Sequence, residues 1–162
     1  MKVTRLLSFL CLGACFALYA SSLAAGDEVT RDSYREAVEP ICEKNARSNV
    51  RILKGVRAMV RRNELKRAAS RLDRAADALK QTVTELRGVP QPSADEGRLE
   101  KWLEAVSVEA SLFERTAAKL RAGNVRAALR LVSRLNSQAN AANSLVIPFE
   151  FHYCKLDPSR FV

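Results

Sequence analysis

Histidine is almost absent from this chain, which has one, His152, in 162 residues. A single histidine excludes a histidine-based metal cluster and a Ser-His-Asp arrangement. Helical-bundle di-metal sites also need Glu-x-x-His pairs, so the carboxylates of Glu100 and Glu104 are interpreted as solvated surface. No glycine-rich phosphate-binding loop is present. These absences predict a protein that is not an enzyme and that uses no metal or cofactor.

Cysteine is also scarce, and the four residues form two groups. Cys11 and Cys15 lie in segment 1–25, which has a positive start, an apolar stretch and small residues at Ser22–Ala24. This pattern is typical of a cleaved secretory signal peptide, and the apolar run is short for a bilayer span. The alternative is a lipid anchor, because Leu12–Cys15 resembles a bacterial lipobox that would lipidate Cys15. The segment therefore predicts a secreted protein, or one anchored through Cys15.

Cleavage would leave two cysteines, Cys42 and Cys154, in a single domain covering residues 26–162. An oxidising compartment favours a structural disulfide between them. The alternative is two unpaired, buried thiols. A closed loop of roughly 110 residues would stabilise the fold by about 4–5 kcal/mol in the chain-entropy account.

Glycine and proline are few, six and five residues, and most of them lie at 88–97 or near the ends of the chain. Ala, Leu, Arg and Glu dominate the rest, which is typical of a helical protein. Apolar periodicity predicts four helices, at about 32–61, 63–87, 94–122 and 125–143. The predicted fold class is all-α, an antiparallel four-helix bundle of two αα-hairpins with an extended C-terminal tail at 144–162.

Short polar residues and glycines mark the predicted helix ends. Pro40 lies inside the first helix, which either starts there or is kinked there. Ser93 and Glu96 have the spacing of a capping box for the third helix. The remaining boundary residues are Thr30 or Asp32 at the first start, Asn63 and Gly88 around the second helix, and Gly123 with Asn124 between the last two.

Four segments of the chain resemble those of a known group of proteins. They are YREAVEPICEKNA (34–46), RLEKWL (98–103), LRAGNVRAAL (120–129) and ANAANSLVIPFEFHYC (139–154). In these the chain resembles a poorly characterised group of small exported or lipid-anchored, single-disulfide helical proteins of high-GC Gram-positive bacteria. The resemblance implies a four-helix domain with one disulfide and implies no activity. Lys155 departs from the group, because glycine is expected after the second cysteine.

Positive charge is concentrated in the first two predicted helices. Eleven Lys and Arg lie between residues 44 and 74, opposed by Glu64 and Asp73. A field of this kind attracts anionic envelope polymers or lipid head groups. The predicted basic patch consists of Arg47, Arg51, Lys54, Arg61, Arg67, Arg71 and Arg74. The chain is therefore expected to be a binding or interaction module at the cell envelope, contacting polymer, lipid or a partner protein but not nucleic acid.

Three alternatives remain open beside this prediction. The basic patch is simply a solvated face with intramolecular ion pairs. Alternatively, the aromatic tail carries a small ligand or haem, with His152 and Tyr153 as ligands beside Phe149 and Phe151. A polar strip either binds a small polar ligand or makes structural hydrogen bonds. Its members are Asn45, Asn49, Asn136, Asn140 and Asn143.

Overall fold

The computed structural model describes residues 28–156. The predicted signal peptide, the possible lipidation site Cys15 and tail residues 157–162 lie outside this range. Within residues 28–156 the chain is all-helical and has no strand, which confirms the fold class at that level. The helices are α1 (Arg31–Leu53), α2 (Val56–Arg61), α3 (Leu65–Arg87), α4 (Glu96–Arg121) and α5 (Val125–Leu145). None of them combines the length and the apolar run that crossing a bilayer requires.

The single helix predicted at 32–61 is two helices in the structure. Thr30 begins α1 with a capping box, in which its hydroxyl accepts from Ser33 N at 3.1 Å and the Ser33 hydroxyl accepts from Thr30 N at 3.0 Å. The helix continues through Pro40. It ends at Leu53 because Gly55 has a φ of +82°, in the left-handed region that ends helices. Apolar periodicity missed the break because Val56 stays in phase and is buried beyond it.

Two predicted caps are wrong. Asn63 does not cap α3 but has a φ of +59° in the preceding turn, and Glu64 occupies the cap position. Ser93 lies in a 3₁₀ turn, Ser93–Asp95, and its hydroxyl donates to Glu28 at 3.3 Å, so no capping box with Glu96 forms. The predicted ends at Gly88 and Gly123 are confirmed, and the Asn124 side chain accepts from Ala127 N at 3.0 Å as the cap of α5.

Asp95 begins α4 and joins it to α1. Its side chain is buried and accepts two hydrogen bonds from Arg31, at 2.6 and 2.9 Å. These hydrogen bonds, with the positive charge of Arg31, hold the pKa of Asp95 below its usual range. The 3₁₀ turn before α4 therefore serves to place this carboxylate against the start of α1.

Helices α3 and α4 form the centre of the molecule. α1 packs on α3, and α5 packs on α4. α1 and α5 make no contact of comparable extent, so the four long helices leave a gap on that side. The ion pairs between α3 and α4 are Asp73–Arg121, Lys80–Glu114 and Arg87–Glu100.

The C-terminal segment enters the core and is not an extended tail throughout. α5 continues to Leu145, and a 3₁₀ turn at Ile147–Phe149 redirects the chain. Phe149 lies 5.8 Å from the Tyr34 ring of α1, and Phe151 lies 5.5 Å from the Trp102 ring of α4, measured between centroids. Both phenylalanines are buried.

Covalent and polar contacts hold the segment in place. Cys42 and Cys154 form the predicted disulfide, with Sγ atoms 2.06 Å apart and Cα atoms 4.9 Å apart. The Glu39 carboxylate accepts from the backbone N–H groups of His152 and Tyr153. The segment is therefore attached to α1 by three kinds of contact: a disulfide, hydrogen bonds and aromatic packing.

The break between α1 and α2 can be tested with two glycines that differ in conformation. Gly55→Ala should destabilise the protein by about 1–2 kcal/mol, because a Cβ is strained at this positive φ although no atom lies within 4 Å of it. Gly97→Ala is the matched control, since its site in α4 is equally open but right-handed, and we expect a gain of up to about 1 kcal/mol. Urea unfolding would measure both, and equal effects would argue against the left-handed break.

The disulfide can be tested by reduction. Its cysteines are 112 residues apart in sequence. Reduction, or Cys154→Ser, should lower the free energy of unfolding by up to about 4–5 kcal/mol, because the denatured chain gains freedom. Circular dichroism should show most of the helix retained at 25 °C, while amide exchange of residues 147–156 accelerates. Unchanged exchange in this segment would show that the aromatic packing is sufficient to hold it.

Candidate functional site

One end of the molecule is strongly basic. The Asp73–Arg121 pair places the start of α3 beside the end of α4, so the α2–α3 and α4–α5 turns lie at the same end. We call residues 51–74 and 115–134 the positive end. They contain fifteen Lys and Arg and two acidic residues, whereas the rest of the chain has twelve basic and sixteen acidic residues. The structure thus joins the predicted patch to Arg126, Arg130 and Arg134 of α5.

Three of the seven predicted patch residues are engaged within the protein. Arg47 pairs with Glu43 at 2.6 Å, and Arg67 pairs with Glu64. Arg71 donates to the Ile52 carbonyl at 2.9 Å, at the end of α1, where helix carbonyls lack partners. These residues therefore have structural contacts to maintain.

The other four patch residues are free. Arg51, Lys54, Arg61 and Arg74 are exposed, and none has a carboxylate partner within residues 28–156. The single helix predicted at 32–61 would carry Arg51, Lys54 and Arg61 together, but the break at Gly55 places Arg61 on α2. The same end also has an apolar hollow of about 240 Å³, lined by residues that include Val60, Leu120 and Leu129.

A second site is a cavity of about 370 Å³ on the side where α1 and α5 do not meet. Residues of α1, α3 and α4 line most of it, Ala142 and Asn143 of α5 also line it, and the disulfide and residues 152–156 lie at one end. Its walls combine apolar and polar side chains, as small-molecule sites do. The polar side chains from the three helices are Asn45, Asn49, Thr82, Trp102 and Glu109.

Glu109 is the unusual member of this set. Its side chain is 0 % exposed, and neither carboxylate oxygen has a hydrogen-bond partner among residues 28–156. Burial raises the pKa of Glu109 to about 8, because desolvation disfavours the charged form. Asn49 Oδ1 and Trp102 Nε1, which line the same cavity, are also buried without partners. Three buried residues of one cavity therefore have unused hydrogen-bonding atoms.

Sequence reasoning did not identify Glu109. The spacing of Glu100 and Glu104 predicts a solvated surface pair, and both side chains are exposed. Glu109 lies three residues after Val106 and four before Phe113, both buried, so it falls within the apolar seam of α4. A charged residue in phase with a core stripe was the signal that could have found it.

The asparagines have mixed roles. Asn143 donates to the Leu156 carbonyl at 2.9 Å and accepts from Leu156 N at 3.1 Å, which supports the structural interpretation at this position. Asn49 donates to Asn45 Oδ1 at 3.2 Å and uses only its amino group. Asn136 Oδ1 is buried without a partner, and Asn140 is exposed. The predicted polar strip is therefore divided between structural bonds and the cavity wall.

The aromatic tail is not arranged as a flat ligand site. Phe149 and Phe151 are packed in the core, so their faces are not available to a porphyrin. His152 contacts Tyr153, with ring centroids 4.5 Å apart, and both side chains are exposed. Within residues 28–156 no group of three His, Cys, Asp or Glu side chains is placed to hold a metal ion.

No family model, curated protein or solved structure matches this chain. The resemblance to exported helical proteins of high-GC Gram-positive bacteria therefore stays a prediction. Two features of the structure bear on function: the free basic side chains of the positive end, and the cavity that contains Glu109.

The buried carboxylate should make stability depend on pH. The pKa of Glu109 is about 8 in the folded state against an ordinary value of 4.5, so the folded protein binds the extra proton between these pH values. Its contribution is fully present below about pH 4.5 and is lost as the pH rises through 8. The Glu109→Gln side chain cannot ionise. The free energy of unfolding of this variant, relative to that of the wild type, should therefore rise by about 5 kcal/mol between pH 4.5 and 9.

Urea unfolding at several pH values would measure this difference. Glu104→Gln is the matched control, because it removes the same charge from an exposed position of α4. His152, Tyr153 and Lys155 also line the cavity, and they are present in both variants. A difference between wild type and Glu109→Gln that stays constant with pH would contradict the assignment.

Proposed function

We propose that this protein is an exported, non-enzymatic helical bundle that binds anionic polymer or lipid head groups at the cell envelope through its positive end. The observation that carries the proposal is the cluster of exposed basic side chains without carboxylate partners, represented by Arg51, Lys54, Arg61 and Arg74. Such side chains can neutralise phosphate or carboxylate groups without breaking an existing ion pair.

The bundle architecture belongs to the same proposal. Along α3 the ion-paired residues are 73, 80 and 87, and their partners on α4 run in the reverse order, 121, 114 and 100. The short turn between α4 and α5 favours the same antiparallel relation. We propose an antiparallel four-helix bundle of two αα-hairpins, in which α1 and α2 together take the place of the first helix.

Export is supported by two features. A structural disulfide is typical of an oxidising compartment, and Cys42 is bonded to Cys154. The signal-peptide pattern of residues 1–25 has the same implication. We propose release after cleavage, and mass analysis of the mature N-terminus would distinguish release from lipid anchoring at Cys15.

The segregation of charge favours a surface as the binding partner. The positive end carries an excess of thirteen positive charges, whereas the rest of the chain carries an excess of four negative charges. A molecule with this distribution is oriented by an anionic surface, with the turns between α2 and α3 and between α4 and α5 directed toward it. Exposed Leu129, 58 % accessible, would then face the surface.

Vesicle co-sedimentation tests this function. The protein should bind phosphatidylglycerol vesicles at low salt and dissociate from them at about 0.5 M salt, because salt screens exposed charges. It should not bind phosphatidylcholine vesicles, which carry no net charge. Each basic residue near an anionic membrane contributes about 1 kcal/mol, so the triple variant Arg51→Glu, Lys54→Glu, Arg61→Glu should bind at least a hundredfold more weakly.

The matched control reverses three charges at the opposite end, Arg87→Glu, Arg98→Glu and Lys101→Glu, which are all exposed. This control variant has the same net charge as the Arg51, Lys54, Arg61 triple variant. It should bind phosphatidylglycerol vesicles more tightly than that variant does. A parallel arm with purified anionic wall polymer distinguishes polymer from lipid as the source of the negative groups. Equal losses in the two variants would show that binding depends on net charge alone and would refute a specific positive end.

A further inference from the structure

We propose that the cavity between α1 and α5 binds a small organic cation, an amine or amidine, with the Glu109 carboxylate as its counter-ion. This site lies apart from the exposed side chains of the positive end. It would make the protein a carrier or sensor of a cationic small molecule in addition to a surface-binding module.

The unused hydrogen-bonding atoms indicate what the ligand must offer. When Glu109 is ionised, its two oxygens and Asn49 Oδ1 are acceptors, and Trp102 Nε1 is the single donor among these atoms. Buried polar atoms without partners are rare in folded proteins, and several in one cavity call for an occupant. Acceptors predominate, so the complementary ligand is rich in N–H donors, as an ammonium or amidinium group is.

Charge favours a cation over a neutral donor. Glu109 is the only ionisable side chain that the helices contribute to the cavity wall. The other titratable groups lining it, His152, Tyr153 and Lys155, come from the C-terminal segment and are exposed to solvent. In a water-poor site a carboxylate and an organic cation attract each other more strongly than at the surface.

A metal ion fits this site less well than an organic cation. One carboxylate and neighbouring amide oxygens give too few hard ligands for Ca²⁺ or Mg²⁺, and no group of three ligating side chains occurs within residues 28–156. The apolar wall, which includes Leu79, Leu86 and Val106, instead suits the hydrocarbon part of an amine. The volume of about 370 Å³ is near the lower limit for ligand pockets and restricts the ligand to a small molecule.

The route of entry follows from the packing. α1 and α5 are not closely packed, so ligand can reach Glu109 from that side without separating the α3–α4 pair. The disulfide and residues 152–156 hold one end of the cavity in shape, because they are bonded to α1 and to Asn143 of α5. The frame of the site is therefore fixed before ligand binds, and contact with Glu109, which is 0 % exposed, requires a small shift of the side chains in front of it.

Fluorescence provides a direct test, because Trp102 is the only tryptophan in the chain. The oxidised protein would be titrated at pH 7.5 with benzylammonium, butylammonium and acetamidinium, and with benzyl alcohol as the neutral counterpart of the first. At least one of the three cations should give a saturable change in Trp102 emission. If benzylammonium binds, benzyl alcohol should bind at least tenfold more weakly than benzylammonium.

Glu109→Gln should weaken cation binding at least tenfold, whereas Glu104→Gln should leave it unchanged. Vesicle binding should be the same in both variants, so failure of this inference is distinguishable from failure of the surface function. Circular dichroism and the wild-type emission maximum would verify folding. The inference is overturned if all three cations fail to saturate at millimolar concentration, if the alcohol binds as well as the amine, or if folded Glu109→Gln binds normally.

A second measurement needs no variant at Glu109. At pH 6.5 the buried carboxyl holds its proton, and pairing with a cation requires that the proton be released. Calorimetric titrations in two buffers of different ionisation enthalpy should then show close to one proton released per ligand bound. His152→Gln should leave this number unchanged, and binding without proton release would refute the ion pair.

Discussion

The attachment of the C-terminal segment to α1 is the contact on which the rest of the arrangement depends. Among the long helices α1 packs chiefly on α3, and it lacks an extensive contact with α5. The Cys42–Cys154 bond, the Glu39 hydrogen bonds and the rings of Phe149 and Phe151 connect the two instead. A segment that follows the last helix therefore does the work that a direct helix–helix contact does in a closed bundle.

This substitution has a consequence for the interior. A covalently attached segment can cover one end of the gap between α1 and α5 without filling it, and a cavity remains beside Glu109. Burying an unpaired carboxyl costs stability. Stability has thus been given up at one position of an otherwise apolar seam, and such positions are often functional.

The basic side chains fall into two groups, those bonded within the protein and those that are not. Arg31, Arg47, Arg67 and Arg71 are bonded within the protein, whereas Arg51, Lys54 and Arg61 are exposed and have no carboxylate partner among residues 28–156. Count and spacing along the sequence do not separate these groups, because pairing depends on which acids the fold brings near. Surface ion pairs add little to stability, so the free residues are not a structural requirement.

Much of the fold could be predicted because it depends on local chemistry. The apolar seams predicted four helical regions, the Gly123-Asn124 turn was located correctly, and the even cysteine count predicted the disulfide. Where local signals conflict, prediction failed. The apolar periodicity predicts one helix across Gly55, because the apolar phase continues past the break. The spacing of Ser93 and Glu96 predicts a capping box, although the Ser93 hydroxyl contacts Glu28.

By itself, the sequence determined the helical composition, the single cysteine pair and the excess of basic residues, since these follow from residue type and spacing. Tertiary structure decided which arginines stay free, where Phe149 and Phe151 pack, and that Glu109 is buried without a partner. The physical reason is that burial and pairing depend on neighbours distant in sequence. The two functional proposals rest on that second group of facts.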